Sequence, residues 1–434
     1  MNLRTGTTRI GALLFVVALT MLGCGSPDAR FVSNRPYIFK LRLDNPSELG
    51  ADVQLGQEKQ IANVLAGLFG TPDEPLIPVL LDCDLTQILD PKKLELAAGS
   101  VKSNYGDGAT PTSMGLYREH CVHCHGITGD GRGPTAAFLN PYPRDYRHGK
   151  FKFKSTPKGV APAVHDLEQI LKNGIQGTAM PSFKLLDEDE VQALTQYVIY
   201  LSIRGQVERA LMSQLTEADT IIDRNLKESK KEEFNSQRDT IIELVTTISQ
   251  SWLEANGKSS VPPPIPAPEE GTPAELVAAW ETNWIQSPKI IEKGRKLFYG
   301  PIANCVKCHG ETASGDGQQT DFDDWTKEFE PDKPQRLEQY LALGALPPRN
   351  IIPRNLRRGV FRGGRRPVDI YWRIREGIDG SPMPAAQMLP EGAPPGAPGL
   401  TSDDVWSLVA YVSSLQNESL SKHKEPTGLA KEVK

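Results

Sequence analysis

Two short strings hold the residues best placed to do chemistry. Cys121-Val122-His123-Cys124-His125-Gly126 and Cys305-Val306-Lys307-Cys308-His309-Gly310 share one spacing, two thiols three positions apart with a histidine directly after the second. Thiols so spaced can add to the two vinyl groups of one haem while the adjacent imidazole turns to the iron, and the string is an attachment signature for haem c. A lone Cys-x-x-Cys also serves as a redox disulfide or as half a zinc site. Two copies inside matched repeats favour covalent haem at both, through Cys121 and Cys124 and through Cys305 and Cys308. With four of the six cysteines used this way, the chain is not organised by a disulfide framework.

The elements that must position these residues repeat as well. Pro143-Arg144-Asp145-Tyr146-Arg147 aligns with Pro353-Arg354-Asn355-Leu356-Arg357, and Gly149-Lys150-Phe151-Lys152 with Gly359-Val360-Phe361-Arg362. Further on, Gly174-Ile175-Gln176-Gly177-Thr178-Ala179-Met180-Pro181 aligns with Gly377-Ile378-Asp379-Gly380-Ser381-Pro382-Met383-Pro384. The offset is 184 positions at Cys121 and Cys305, and 203 at Met180 and Met383, so the copies differ by loop insertions and deletions. Each copy closes on a predicted helix. Asp187 with Glu190, and Thr401 with Asp404, place a capping group and an acid at the positive helix terminus. Val191, Leu194, Val198 and Leu201 line one face, as do Val405, Leu408, Val412 and Leu415, and both stripes read as core.

On these motifs each copy resembles a class I cytochrome c domain, covering roughly residues 113–201 and 287–415. The fused pair resembles the diheme c-type cytochromes that act as electron carriers and as subunits of respiratory oxidoreductases. The resemblance implies a mainly α fold of two small helical domains, two covalently bound haem c groups, His125 and His309 as proximal ligands, and Met180 and Met383 as the sixth ligands. The second copy departs from the compact pattern by a long insertion between Gly310 and Pro353.

The sixth ligand can be weighed on residues as well. A methionine in a loop usually fills a gap, but Met180 and Met383 stand in the same glycine-rich, Met-Pro context. Histidine alternatives fare worse in the second copy, because His148 corresponds to Arg358 and His165 to Val368, and no histidine besides His309 precedes His423. His148 stays open as an alternative at the first iron and Met388 as a weaker one at the second; His120, His123 and His165 read as surface or hydrogen-bonding residues. Thioether sulfur favours ferrous iron and raises the reduction potential, and two filled axial positions leave no vacancy for peroxide or oxygen. One-electron transfer is the expected task, with the chain an electron-transfer protein and no small-molecule substrate expected.

Basic residues cluster at Arg349, Arg354, Arg357, Arg358, Arg362, Arg365 and Arg366, with Arg144, Arg147, Lys150, Lys152 and Lys154 in the first copy. Arg144 and Arg354 are the best candidates to pair with haem propionates, while others are candidates to steer an acidic redox partner or form a solvated face. A net charge of -5 in 434 residues excludes a nucleic-acid partner.

At the start of the chain, Arg4 and Arg9 precede an apolar run from Ile10 to Leu22 that ends at Gly23-Cys24. The pattern is that of an export signal, and a helix of about 13 residues rises only about 20 Å, too short to span a bilayer. The Cys24 context resembles the lipobox of bacterial lipoproteins, which implies acylation at Cys24 and a tether to the periplasmic side of a membrane.

The expected organisation is a signal over 1–23, an N-terminal region of unassigned role over 24–111, a first haem domain over 112–204, a charged helical insert over 205–260, a Pro-rich linker over 261–286, a second haem domain over 287–416 and a charged tail over 417–434. Cys83 is left as a half-buried thiol, or as a disulfide partner of Cys24 if that residue is not acylated. The expected function is a membrane-tethered diheme cytochrome serving redox partner proteins of a respiratory chain. A diheme peroxidase-like enzyme and a docking subunit of a larger complex, bound through the N-terminal region and the insert, are the alternatives.

Overall fold

The computed structural model describes residues 29–46, 51–79, 82–99, 115–218, 230–263, 284–317 and 321–417. The signal, Cys24, most of the Pro-rich linker and nearly all of the tail lie outside the described residues. The architecture is mainly α-helical. The first unit contains α1 (Arg35–Asp44), α2 (Ala51–Phe69), α3 (Pro91–Ala97), α4 (Leu116–His120), α5 (Val122–His125), α6 (Val164–Asn173), α7 (Glu188–Ala218) and α8 (Lys231–Leu253). The second contains α9 (Pro288–Tyr299), α10 (Val306–His309), α11 (Asp324–Lys327), α12 (Pro334–Ala342), α13 (Pro367–Arg375) and α14 (Ser402–Ser414). Within the insertion of the second unit, β1 (Asp321–Phe322) pairs antiparallel with β2 (Asn350–Ile351), Asp321 opposite Ile351 and Phe322 opposite Asn350.

The closing helices start where their caps dictate. Asp187 N–H donates to Glu190 Oε2 at 3.0 Å and Glu190 N–H to Asp187 Oδ1 at 2.8 Å. Thr401 and Asp404 exchange the same two bonds at 2.9 and 3.1 Å. Each box satisfies donors that a helix N-terminus leaves unpaired. Both expected stripes, from Val191 to Leu201 and from Val405 to Leu415, are buried. In the second unit α14 crosses α9 at Gly294, where any side chain would run into Ser407 and Tyr411.

Helix α7 runs unbroken through residues 204 and 205, so the first haem domain and the start of the insert share one helix. Gly205 marks a close approach, since a Cβ there would lie 2.5 Å from Arg147 Cγ. The N-terminal region and the insert also pack into the first unit. Ile61, Leu65 and Phe69 of α2, Leu94 of α3 and Val245 and Trp252 of α8 join one core with Val191, Leu194, Val207 and Leu211 of α7. Ile61, Leu65 and Phe69, and Val245 and Trp252, recur at helical spacing, but the partner that covers a stripe is chosen by tertiary packing. Trp252 Nε1 also donates to Gln206 Oε1 at 2.7 Å, tying α8 to α7.

The second unit holds onto the first through its insertion. Phe329, Tyr340 and Ala345 form a small cluster with Phe39 and Leu43 of α1, and the Phe39 and Tyr340 rings meet edge to face at 5.3 Å. Across the same seam Lys150 pairs with Asp324 at 2.9 Å, Lys152 with Asp323 at 2.5 Å, Lys154 with Asp379 at 2.6 Å and Arg209 with Glu328 at 2.6 Å. The three lysines expected to steer a partner are therefore spent inside the molecule, and Lys154 with Asp379 is nearly fully buried. Where the linker begins, Ser260 and Pro263 carbonyls accept from Trp372 and Trp406 indoles at 2.9 and 3.2 Å.

Candidate functional site

Both copies build the attachment string on a one-turn helix, α5 or α10, whose last residue is the histidine. His125 Nδ1 lies 3.2 Å from the Arg144 carbonyl and His309 Nδ1 3.1 Å from the Arg354 carbonyl. A carbonyl only accepts, so Nδ1 carries the proton and Nε2 keeps its lone pair for a metal. Burial pushes the His125 imidazole down to about 4, and it lowers His309 too, so both rings are neutral as a ligand must be. The loops beyond the histidines match as well: Gly131 N–H reaches the His125 carbonyl and Gly315 N–H the His309 carbonyl, each at 2.9 Å.

The methionine loops share one hydrogen-bond pattern. Ile175 N–H donates to the Met180 carbonyl at 3.1 Å and Ile378 N–H to the Met383 carbonyl at 3.2 Å. Thr178 Oγ1 donates to the Ile175 carbonyl at 2.7 Å and Ser381 Oγ to the Ile378 carbonyl at 2.8 Å. The same hydroxyl oxygens accept from Met180 N–H at 3.1 Å and Met383 N–H at 3.4 Å. Each loop starts at a glycine with positive φ, Gly174 at 64° and Gly377 at 72°. A Cβ at either would lie 2.6 Å from the carbonyl carbon of Pro181 or Pro384, so backbone must touch backbone there.

In the first unit Cys121, Cys124, His125 and Met180 line one cavity. Its walls are apolar, with Phe151, Leu167, Leu171 and Val198 among them, and Tyr146 stacks on the His125 ring at 4.8 Å. Thiols, imidazole, thioether and apolar walls are the donor set and surroundings that haem c requires. Arg144 also lines the cavity, and its Nη1 is buried without a hydrogen-bond partner. Burial pushes the Cys121 and Cys305 thiols up to about 12, which disfavours the thiolate that a zinc site or redox disulfide uses. Among the described residues no three His, Cys, Asp or Glu side chains converge as an ion site would need.

The histidine alternatives of the first unit lie outside the cavity lining. His148 packs between Asp145 and Glu328, at 3.9 and 3.7 Å, and does not line the cavity; His165 lies 3.3 Å from Ser155 Oγ. Met388 packs on the second core, and its segment bridges Leu400. Cys83 Sγ is half-buried, 4.0 Å from the Thr246 carbonyl, and none of the five described cysteines is in a disulfide.

Sequence reasoning missed one wall of the first cavity. Trp325 of α11, in the second unit's insertion, lines it together with Arg362. Arg144 lies over the Trp325 ring at 4.0 Å and Lys152 at 4.7 Å. The only local signal was one indole beside Asp323-Asp324 in an insertion that lacks a counterpart.

Residues 109–198 match the family described as cytochrome c oxidase, cbb3-type, subunit III, and residues 291–416 match the cytochrome c family. No curated protein matches the chain. Among solved structures, a chain of the Kuenenia stuttgartiensis reducing HAO-like protein complex is 21% identical, covering 69% of this chain and 93% of that chain with a TM-score of 0.40.

Proposed function

The chain is a diheme c-type cytochrome, its two cytochrome c domains implying two covalently bound haem c groups, and from that premise we propose that it passes single electrons between redox partner proteins of a respiratory chain. Cys24 tethers it by acyl chains to the periplasmic side of a bacterial membrane, a reading supported by the export pattern that precedes that residue. His125 and Met180 would hold the iron of the first haem, and His309 and Met383 that of the second. One observation carries the electron-transfer role: the two methionine loops are held by the same set of backbone and hydroxyl hydrogen bonds.

When bound, each haem supplies a ferrous–ferric couple that changes by one electron. The chain's part is to hold the surroundings still. Carbonyls of Arg144 and Arg354 fix both imidazoles, Thr178 and Ser381 fix the loops that present the thioethers, and in the first unit Tyr146 packs flat on the imidazole. With donors so fixed, little rearranges when charge changes.

Electron paramagnetic resonance with and without peroxide tests this against a peroxidase-like enzyme. We expect low-spin signals from both haems that peroxide leaves unchanged; a substantial high-spin population that responds to peroxide would overturn the carrier reading. The tether is tested separately by Cys24→Ala, which should move the exported protein from the membrane to the soluble fraction.

A further inference from the structure

Four buried polar atoms with no hydrogen-bond partner lie around the seam between the two units: Arg144 Nη1, Arg354 Nη2, Arg362 Nε and Trp325 Nε1. A buried donor left unmade costs about 1–3 kcal/mol, more when charged. Charge is unbalanced as well. Asp323 and Asp379 are engaged by Lys152 and Lys154, while among the described residues none of the three arginines forms an ion pair. Burial pushes Arg144 and Arg362 down to about 10, Arg144 despite the Asp323, Asp145 and Asp379 charges near it and Arg362 with the Arg354 charge adding to the effect.

The placement is reciprocal. Each of the repeated arginines fixes its own unit's histidine through its carbonyl, yet its guanidinium reaches the other unit's methionine loop. A Cβ at Gly380 would lie 3.2 Å from Arg144 Nη1, and one at Gly177 would lie 3.8 Å from Arg354 Nη2. Arg362 Nη2 reaches the Gly177 carbonyl at 3.5 Å. Trp325 completes the arrangement, lying under Arg144 and beside Gly380.

We propose that Arg144, Arg354, Arg362 and Trp325 form one anion-binding cluster shared by the two units, which takes the carboxylates of both haems, so that each unit completes the other's cofactor site. The inference rests on the diheme reading and goes beyond it by making the seam part of both sites. Guanidinium groups and an indole N–H are the donors that planar carboxylates use. An anion here offsets the buried positive charge and satisfies the unmade donors. Inorganic phosphate offers the same chemistry, and the test separates the two sources.

The experiment is a spectroelectrochemical titration of the full-length haem-loaded protein, with haem counted by pyridine haemochrome. Arg144→Gln should lower both midpoint potentials by roughly tenfold in the reduction equilibrium, ~59 mV for one electron, because carboxylates that lose a cation favour ferric iron. Trp325→Phe keeps a ring under Arg144 and removes the donor; a fall of roughly threefold in the reduction equilibrium is expected for at least one haem. Arg209→Gln breaks an ion pair across the seam outside the cluster and should leave both potentials in place. Phosphate should move neither potential in the unaltered protein. Shifts confined to one haem in Arg144→Gln, equal shifts in Arg209→Gln, unmoved potentials in Trp325→Phe, or phosphate-dependent potentials would each overturn the proposal. A single haem in the unaltered chain would instead overturn the diheme reading, and the shared cluster with it.

Discussion

The two haem units hold their ligand-bearing loops in the same way and differ in nearly everything around them. From the histidine-fixing carbonyl to the hydroxyl that braces the methionine, the bonds correspond one for one. Outside that frame the first unit is wrapped by α1, α2, α3 and α8 in one large core, whereas the second keeps a small core and extends an insertion across the seam. The bonds that set ligand geometry are mostly backbone and tolerate little change. The surroundings answer only to burial, which many sequences satisfy.

The sharpest way to break the comparison is to remove one attachment pair at a time. Cys305→Ala with Cys308→Ala should lower the haem count from two to one, and the mirrored change at Cys121 and Cys124 should do the same, as read by pyridine haemochrome. A count that stays at two would mean the strings do not anchor haem.

A second contrast lies just after the repeated arginines. Asp145 caps its turn and clamps the fully buried Arg147, with Nη2 at 2.7 Å, where the second unit has Asn355 capping the turn that contains the more exposed Arg357. Burial alone would raise the Asp145 carboxyl, but the charge and hydrogen bonds of Arg147 overcome it and hold it far below the usual range. Asp145→Asn should cost about 3 kcal/mol, since it strands a buried guanidinium, while Asn355→Asp should stay within about 0.5 kcal/mol. Chemical denaturation of the two variants reads the difference. Because the folded pKa is depressed, the contribution of Asp145 is complete above pH ~4 and is lost as pH falls below it.

His148 gives a pH dependence that the second unit, with Arg358 in its place, should lack. Burial, then the Arg209 charge, push His148 down to about 4 despite Asp145 and Glu328 beside it. The unfolded chain then binds the extra proton between about pH 6.5 and 4, so stability is full above that window and falls as pH drops through it. Melting temperature should decline across this window, and His148→Gln should flatten the slope. A small effect belongs to the half-exposed Lys150–Asp324 pair; Lys150→Met should shift stability by no more than about 1 kcal/mol, against several for Lys154→Met, which strands the buried Asp379.

What could be read from the chain was local. The attachment strings, the Gly-rich Met-Pro loops and both capping boxes are contiguous patterns whose chemistry sits in adjacent residues. The continuity of α7 across residue 205 escaped because its reason, the passage of Arg147 at Gly205, lies 58 positions away. Trp325 escaped for the same cause. Its partners Arg144 and Lys152 come from the other unit, and no periodicity within the insertion announces a contact of that range.

Weak near-infrared absorbance of the oxidised protein, the band that sulfur ligation to ferric haem produces, tests the central claim most directly when measured per haem. The account predicts two haems per chain with full absorbance, about half of it lost in Met180→Leu and about half in Met383→Leu, and none in Met388→Leu. A band missing from the unaltered protein, or one that survives both of the first two substitutions, would contradict it.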